Sequence, residues 1–272
     1  MARQTDFSPR VPVTALGQPY PPGRSARLAL LAILAVGAAA GLVFGLVPQL
    51  DLAITALVYD PARRVWPYAY DPTLQTVRDV NDMIVRLVAI AAGVVLIVRL
   101  AAPRIAALRL PAALSLRAAL FVLTTLAVAP GLIVNGILKP HGGRPRPIEV
   151  TPFGGTLDFV PWWSPFGGCD SNCSFASGEM SSATWLLAAA LLLPASLRPL
   201  GIAVVLAWAV VVGGVRIAMG GHFASDVLLS GVLTALTVWV LYVVVMRPGQ
   251  PTPLTGPDSS PAGRGDRVAR SA

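Results

Sequence analysis

At 272 residues with 55% hydrophobic and only 12% charged residues, the chain lacks the polar surface of a soluble domain, which carries about 25% charged residues. The mean hydropathy of +0.68 agrees, and the apolar residues lie in long blocks rather than at helix or strand spacing. The net charge of +8 comes mostly from Arg scattered beside those blocks, which argues against nucleic acid and fits the basic residues that orient membrane proteins.

An uncharged apolar stretch of about 20 residues crosses the hydrocarbon core, and six such runs are predicted: Leu28 to Val47, Ile84 to Val98, Ala118 to Leu138, Ser182 to Leu197, Gly201 to Val215, and Val227 to Met246. The fold class is therefore all-α, a six-transmembrane-helix bundle over residues 26–247. Leu28 to Val47 follows Arg24 and Arg27 as a signal sequence does, but its length reads as a retained span. The Pro-rich residues 1–25 and the Pro, Gly, Ser and Arg-rich residues 248–272 read as disordered ends.

Between the second and third spans lie Arg99, Arg104, Arg109 and Arg117 with no acidic residue, so that connection is expected to be cytoplasmic, with both termini on the same side. The opposite, outer side then receives Pro48 to Met83, Lys139 to Ser181, and Arg216 to Asp226. Asp51 to Tyr59 carries an apolar stripe at helical spacing, either a helix on the membrane surface or a packed connector. Cys169 and Cys173, four positions apart, can form a disulfide in an oxidising compartment or remain free thiols. A structural zinc would need further ligands that the surrounding sequence does not supply.

Six spans also describe carriers and channels, but ion-coupled carriers place ionisable groups near mid-membrane. Here they gather where outer loops meet spans. Lys139 to Pro147 (KPHGGRPRP) holds Lys139, Arg144 and Arg146, cations on the side where basic residues are depleted, suited to a multiply charged anion. Phe175 to Glu179 (FASGE) places Ser177 and Gly178 at a helix start, where free amides and the dipole favour an anion. Arg216 to Asp226 (RIAMGGHFASD) orders Arg216, His222 and Asp226, with Asp four residues after His. That spacing lets a carboxylate reach the imidazole on a helical turn, leaving the other nitrogen as nucleophile or base. Each segment alone has a plainer alternative: a basic stop, an ordinary N-cap, a structural histidine.

In order, these segments fit K-x-x-x-x-x-x-R-P, the Ser-Gly centre of Pro-Ser-Gly-His, and S-R-x-x-x-x-x-H-x-x-x-D, with Val215 in place of the Ser. The chain resembles the type-2 phosphatidic-acid phosphatase superfamily over Lys139 to Asp226. The resemblance implies a helical core without metal or other cofactor and a phosphohistidine intermediate on His222, whose ring Asp226 orients. It implies phosphate binding by Lys139, Arg146, Ser177, Gly178 and Arg216. Arg144 is an extra cation, and Glu179 stands where the family has the His that protonates the leaving group. Glu179 or His141, the only other histidine, is then the candidate acid. The expected substrate is a membrane lipid phosphate or pyrophosphate, such as lipid A, undecaprenyl pyrophosphate or phosphatidylglycerol phosphate, hydrolysed at the periplasmic face of an inner membrane. A non-catalytic lipid-phosphate binder or carrier is the alternative.

Overall fold

The computed structural model describes residues 23–101, 115–164 and 166–246. Most of both predicted disordered ends, and Arg104 and Arg109 of the predicted cytoplasmic connection, lie outside them. The first helix, α1 (Arg24–Leu46), starts just inside the expected N-terminal segment. It is followed by α2 (Gln49–Ala56) and α3 (Pro72–Ala101). Next come α4 (Leu116–Leu126, continued through Ala127–Leu138 and Lys139–His141), then the short α5 (Gly178–Trp185) and α6 (Leu187–Ala190). The bundle closes with α7 (Arg198–Ala218) and α8 (Ala224–Leu241, continued through Tyr242–Met246). No strand occurs among the described residues, only isolated bridges such as Asp60 with Val65.

Five of these helices, α1, α3, α4, α7 and α8, are long and apolar enough to cross a membrane. Their outward residues, among them Leu31, Ile97 and Val210, are exposed, as a lipid-facing surface requires. The expected fourth span is different. Ser182 to Leu197 falls into α5, α6 and a turn through Pro194 rather than one helix, because Ala and Leu continue the apolar run without fixing the helix that Pro194 ends.

Two other departures position the site. The second span begins twelve residues before Ile84, at Pro72: Asp71 caps the helix, accepting from the Thr73 and Leu74 amides at 2.9 and 3.0 Å, and Pro72 suits the first turn. In α4, Pro130 supplies no amide, and the helix widens into π turns over Ala127–Leu138, the kind of insertion that recurs at functional sites. The Asn135 side chain donates to the Pro130 carbonyl at 2.6 Å.

Asn81 and Trp185, buried polar groups between the helices, find partners, as an apolar medium demands. Asn81 donates to Ser182 Oγ and accepts from Trp208 Nε1, both at 3.0 Å. Trp185 donates to the Val122 carbonyl and to Thr125 Oγ1, both at 3.1 Å, within the apolar cluster around Phe121, Leu186 and Val238.

Candidate active site

The chemistry gathers where the end of α4, the start of α5, the end of α7, the start of α8 and the first turns of α3 come together. His222 lies in the turn between α7 and α8, fully buried, after Gly220 at φ +69°. Its Nδ1 is 2.7 Å from the Ser174 carbonyl oxygen. A carbonyl only accepts, so Nδ1 carries the proton and the neutral ring presents a lone pair at Nε2. Burial pushes the imidazole down, and the neighbouring Glu179 and Asp226 charges do not reverse it. Nε2 is buried, with no hydrogen-bond partner among the described residues.

The orienting group is thus a backbone carbonyl, which corrects the expected direct contact between Asp226 and the imidazole. Asp226 accepts from Ser174 Oγ at 2.5 Å, from the Phe223 amide at 2.9 Å, and from Arg144. It fixes both the turn carrying His222 and the residue that holds the ring. The i to i+4 geometry fails because the helix starts only at Ala224, so Asp226 caps it and turns inward.

Arg144 is corrected likewise. It is not a spare cation facing a substrate but a fully buried strut. Besides Asp226, it bonds Asp51 Oδ2 and Ser225 Oγ, both at 2.8 Å, and the Val160 carbonyl at 2.9 Å. Phe223 and Phe159 cover its guanidinium, with ring centroids 4.4 and 5.4 Å away. Asp51 in turn accepts from the Ser225 amide at 2.9 Å and its hydroxyl at 2.6 Å. The packed-connector alternative for Asp51 to Tyr59 therefore holds: Asp51 and Thr55 of α2 point inward.

In front of Nε2 stands Glu179, in the first turn of α5. Its Oε2 is 3.9 Å from His222 Nε2, too long for a hydrogen bond. Oε1 accepts from Arg78 NH2 at 3.1 Å and lies 3.3 Å from Arg216 Nε. Burial pushes the carboxyl up, but the His222 imidazole when protonated, and the Arg216 and Arg78 guanidinium groups, more than reverse that and hold it well below the usual carboxylate range. An ionised carboxylate has no proton to give, which removes the physical basis for Glu179 as the acid. His141 is exposed at the last turn of α4.

Lys139 and Gly178 meet here: a Cβ on Gly178 would fall 3.1 Å from Lys139 Nζ. Both line a cleft of about 500 Å³ with Glu179 and Asn135, running between α3, α4 and α5 along Val85, Leu126 and Pro130. Ser177 caps α5 through the Met180 amide at 3.4 Å and is held by Ser230, which donates to its carbonyl at 2.6 Å. Arg146 donates from Nε and NH2 to the Asn172 carbonyl at 3.2 and 2.9 Å, within electrostatic reach of Lys139 and Arg216.

Cys169 and Cys173 form a disulfide. The loop they close is laced to the Lys139 segment, the Ser174 amide donating to the Arg144 carbonyl at 2.8 Å. No cluster of His, Cys, Asp or Glu among the described residues is arranged to hold a metal ion. Sequence reasoning missed Arg78, Asp51 and Ser174.

A buried histidine flanked by cations at the helix ends of an all-α membrane bundle defines a class, and residues 116–249 match the family model of the PAP2 superfamily. Over those residues the chain matches that superfamily, the type-2 phosphatidic-acid phosphatases, and its long apolar helices make it a multi-pass membrane protein. Among curated proteins it is similar to the lipid A 4'-phosphatase of Rhizobium leguminosarum, 46% identical over 117 residues covering 43% of this chain and 50% of that protein. The protein of the same name from Francisella tularensis subsp. novicida is 39% identical over 135 residues, 48% of this chain and 60% of that one. A third, from Rhizobium etli, is 46% identical over 117 residues, 43% of this chain and 45% of its own length. The chain thus spans about half the length of the curated relatives it matches. No solved structure matches it.

Proposed function

We propose that the protein removes a phosphate group from a membrane lipid at the outer, periplasmic face, with His222 as nucleophile. The observation that supports this most is the Nδ1–H tautomer fixed by Ser174, which leaves Nε2 buried, unpartnered among the described residues and beside the Glu179–Arg216 pair. A protein that only binds lipid phosphates needs the cations but not an oriented ring nitrogen.

In this reading Nε2 attacks phosphorus, the bond to the lipid oxygen breaks, and that oxygen takes a proton from water, since Glu179 is ionised. Water then attacks the phosphohistidine, the P–N bond breaks with its electron pair returning to Nε2, the proton this water loses neutralises the hydroxide left by the first step, and inorganic phosphate leaves. Lys139, Arg146, Arg216, Ser177 and the Gly178 amide hold the phosphoryl oxygens, where fixed charges stabilise the transition state best. Asp226 acts through Ser174 and the turn rather than on the ring. The headgroup enters the cleft beside Lys139 while the chains remain along α3 and α4, because drawing them into water costs about 0.8 kcal/mol per CH₂.

The names of the relatives make lipid A the first substrate to test, ahead of undecaprenyl pyrophosphate and phosphatidylglycerol phosphate. With ³²P-labelled lipid A, acid-labile and base-stable label is expected on the wild-type protein. His222→Ala should show no label and a fall in turnover of about 10³-fold or more. Equal phosphate release by wild type and His222→Ala would sink the assignment.

A further inference from the structure

Three buried nitrogens without a hydrogen bond from their own position, Arg78 Nε, Arg216 Nε and His222 Nε2, belong to the three side chains that surround one carboxylate. Glu179 Oε1 sits between Arg78 NH2 and Arg216 Nε at 3.1 and 3.3 Å, and Oε2 faces His222 Nε2 at 3.9 Å. For Nε2 to attack, a phosphorus atom must come within about 3–3.5 Å of it. The phosphoryl oxygens would then abut the carboxylate that already holds the guanidinium groups, bringing two anions together where like charges repel.

Arg78 has the means to follow an anion. It stands on the first turns of α3, outside the residues 116–249 that the family model matches. Its side chain is 33% exposed against 6% for Arg216. Besides Glu179, its partner among the described residues is Gln75 Oε1, which accepts from NH1 at 2.8 Å. A planar guanidinium able to exchange one oxyanion for another suits a phosphate, which offers three oxygens in place of two.

Resting on the reading of this cluster as a phosphate site, we infer that Arg78 is a further substrate-phosphate ligand and that Glu179 is the internal anion it exchanges. In the free protein the Glu179 carboxylate occupies part of the phosphate position. Phosphate displaces it, and Arg78 and Arg216 pass from the carboxylate to the phosphoryl oxygens. Glu179 thereby sets how strongly the site holds phosphate, and so how readily it releases its product.

The test is binding of inorganic phosphate to the purified full-length protein in detergent, measured calorimetrically for wild type, Glu179→Gln, Arg78→Gln and the double variant. Glu179→Gln should tighten phosphate about tenfold and Arg78→Gln should weaken it about tenfold, each tenfold corresponding to about 1.4 kcal/mol. The decisive comparison is within Glu179→Gln, where adding Arg78→Gln should still weaken phosphate by tenfold or more. If Arg78 is only the structural partner of Glu179, its loss there will change nothing, and the inference is overturned. Arg78→Lys keeps the charge and should retain most of the binding, which separates loss of the ligand from loss of the fold. Phosphate binding that is unchanged in every variant, alongside His222-dependent turnover, overturns the role of Arg78 and leaves the phosphatase reading intact. No phosphate binding in any variant, with no turnover, overturns both.

Discussion

Two arginine–carboxylate clusters lie on either side of His222, built from the same residue types and opposite in character. Behind the ring, Arg144 is clamped by Asp51, Asp226, Ser225 and the Val160 carbonyl, with neither Arg144 nor its two carboxylates exposed. In front, Arg78 and Arg216 share the single carboxylate of Glu179, and each keeps a buried Nε without a hydrogen bond. A saturated network has one arrangement and serves as a foundation, whereas an under-satisfied one can exchange its anion for another. Charge does not tell the two apart; burial and the number of satisfied donors do.

The largest effect that would break this comparison is on folding. Arg144→Met leaves Asp51 and Asp226 as buried, uncompensated charges, and removing one partner of such a network costs about 3–5 kcal/mol. Unfolding in detergent should show a loss of that size, and the turn holding His222 should loosen with it. Arg78→Gln, in the more exposed cluster, should cost less than about 1 kcal/mol. If the two variants were equally stable, the distinction between foundation and exchangeable site would fail.

How much of this was legible in the sequence follows the same division. The all-α class, five of the six spans, and Lys139, Ser177, Gly178, Glu179, Arg216 and His222 as one neighbourhood can be read from apolar runs and local spacing. The inward role of Arg144 cannot, because its partner Asp51 is 93 residues away and nothing in KPHGGRPRP tells which of Arg144 and Arg146 points inward. The carbonyl that orients His222 is equally hidden, since any residue can supply one. Arg78 was the avoidable miss. Asp71-Pro72 is a helix-start signal, and it places the charged turn before Ile84 on the helix rather than in a loop.

A smaller perturbation acts on the front cluster alone. A Cβ on Gly221 would fall 2.3 Å from Arg216 NH2, and the flexible end of the arginine must move to admit it. Gly221→Ala should therefore leave stability within about 1 kcal/mol of wild type while lowering kcat/KM about 10²-fold, the cost of misplacing a catalytic group by about an ångström. A matching loss of stability would instead mark Arg216 as part of the scaffold.

The smallest predicted effect is on pH dependence, and its sign is set by Nε2 having to be neutral to attack. Turnover is present above the His222 pKa and is lost as pH falls through it. Burial lowers that pKa in the free protein, so the acid limb of the kcat/KM profile, which reports the free protein, should lie below about 6.5, where an ordinary histidine titrates. Glu179 opposes burial by favouring the imidazolium, so Glu179→Gln should move the limb further toward acid. Profiles normalised to their own plateaus separate this shift from any change in rate. A limb above 6.5 in wild type would mean that His222 is held as imidazolium by Glu179, making the front cluster a saturated ion network like the one behind.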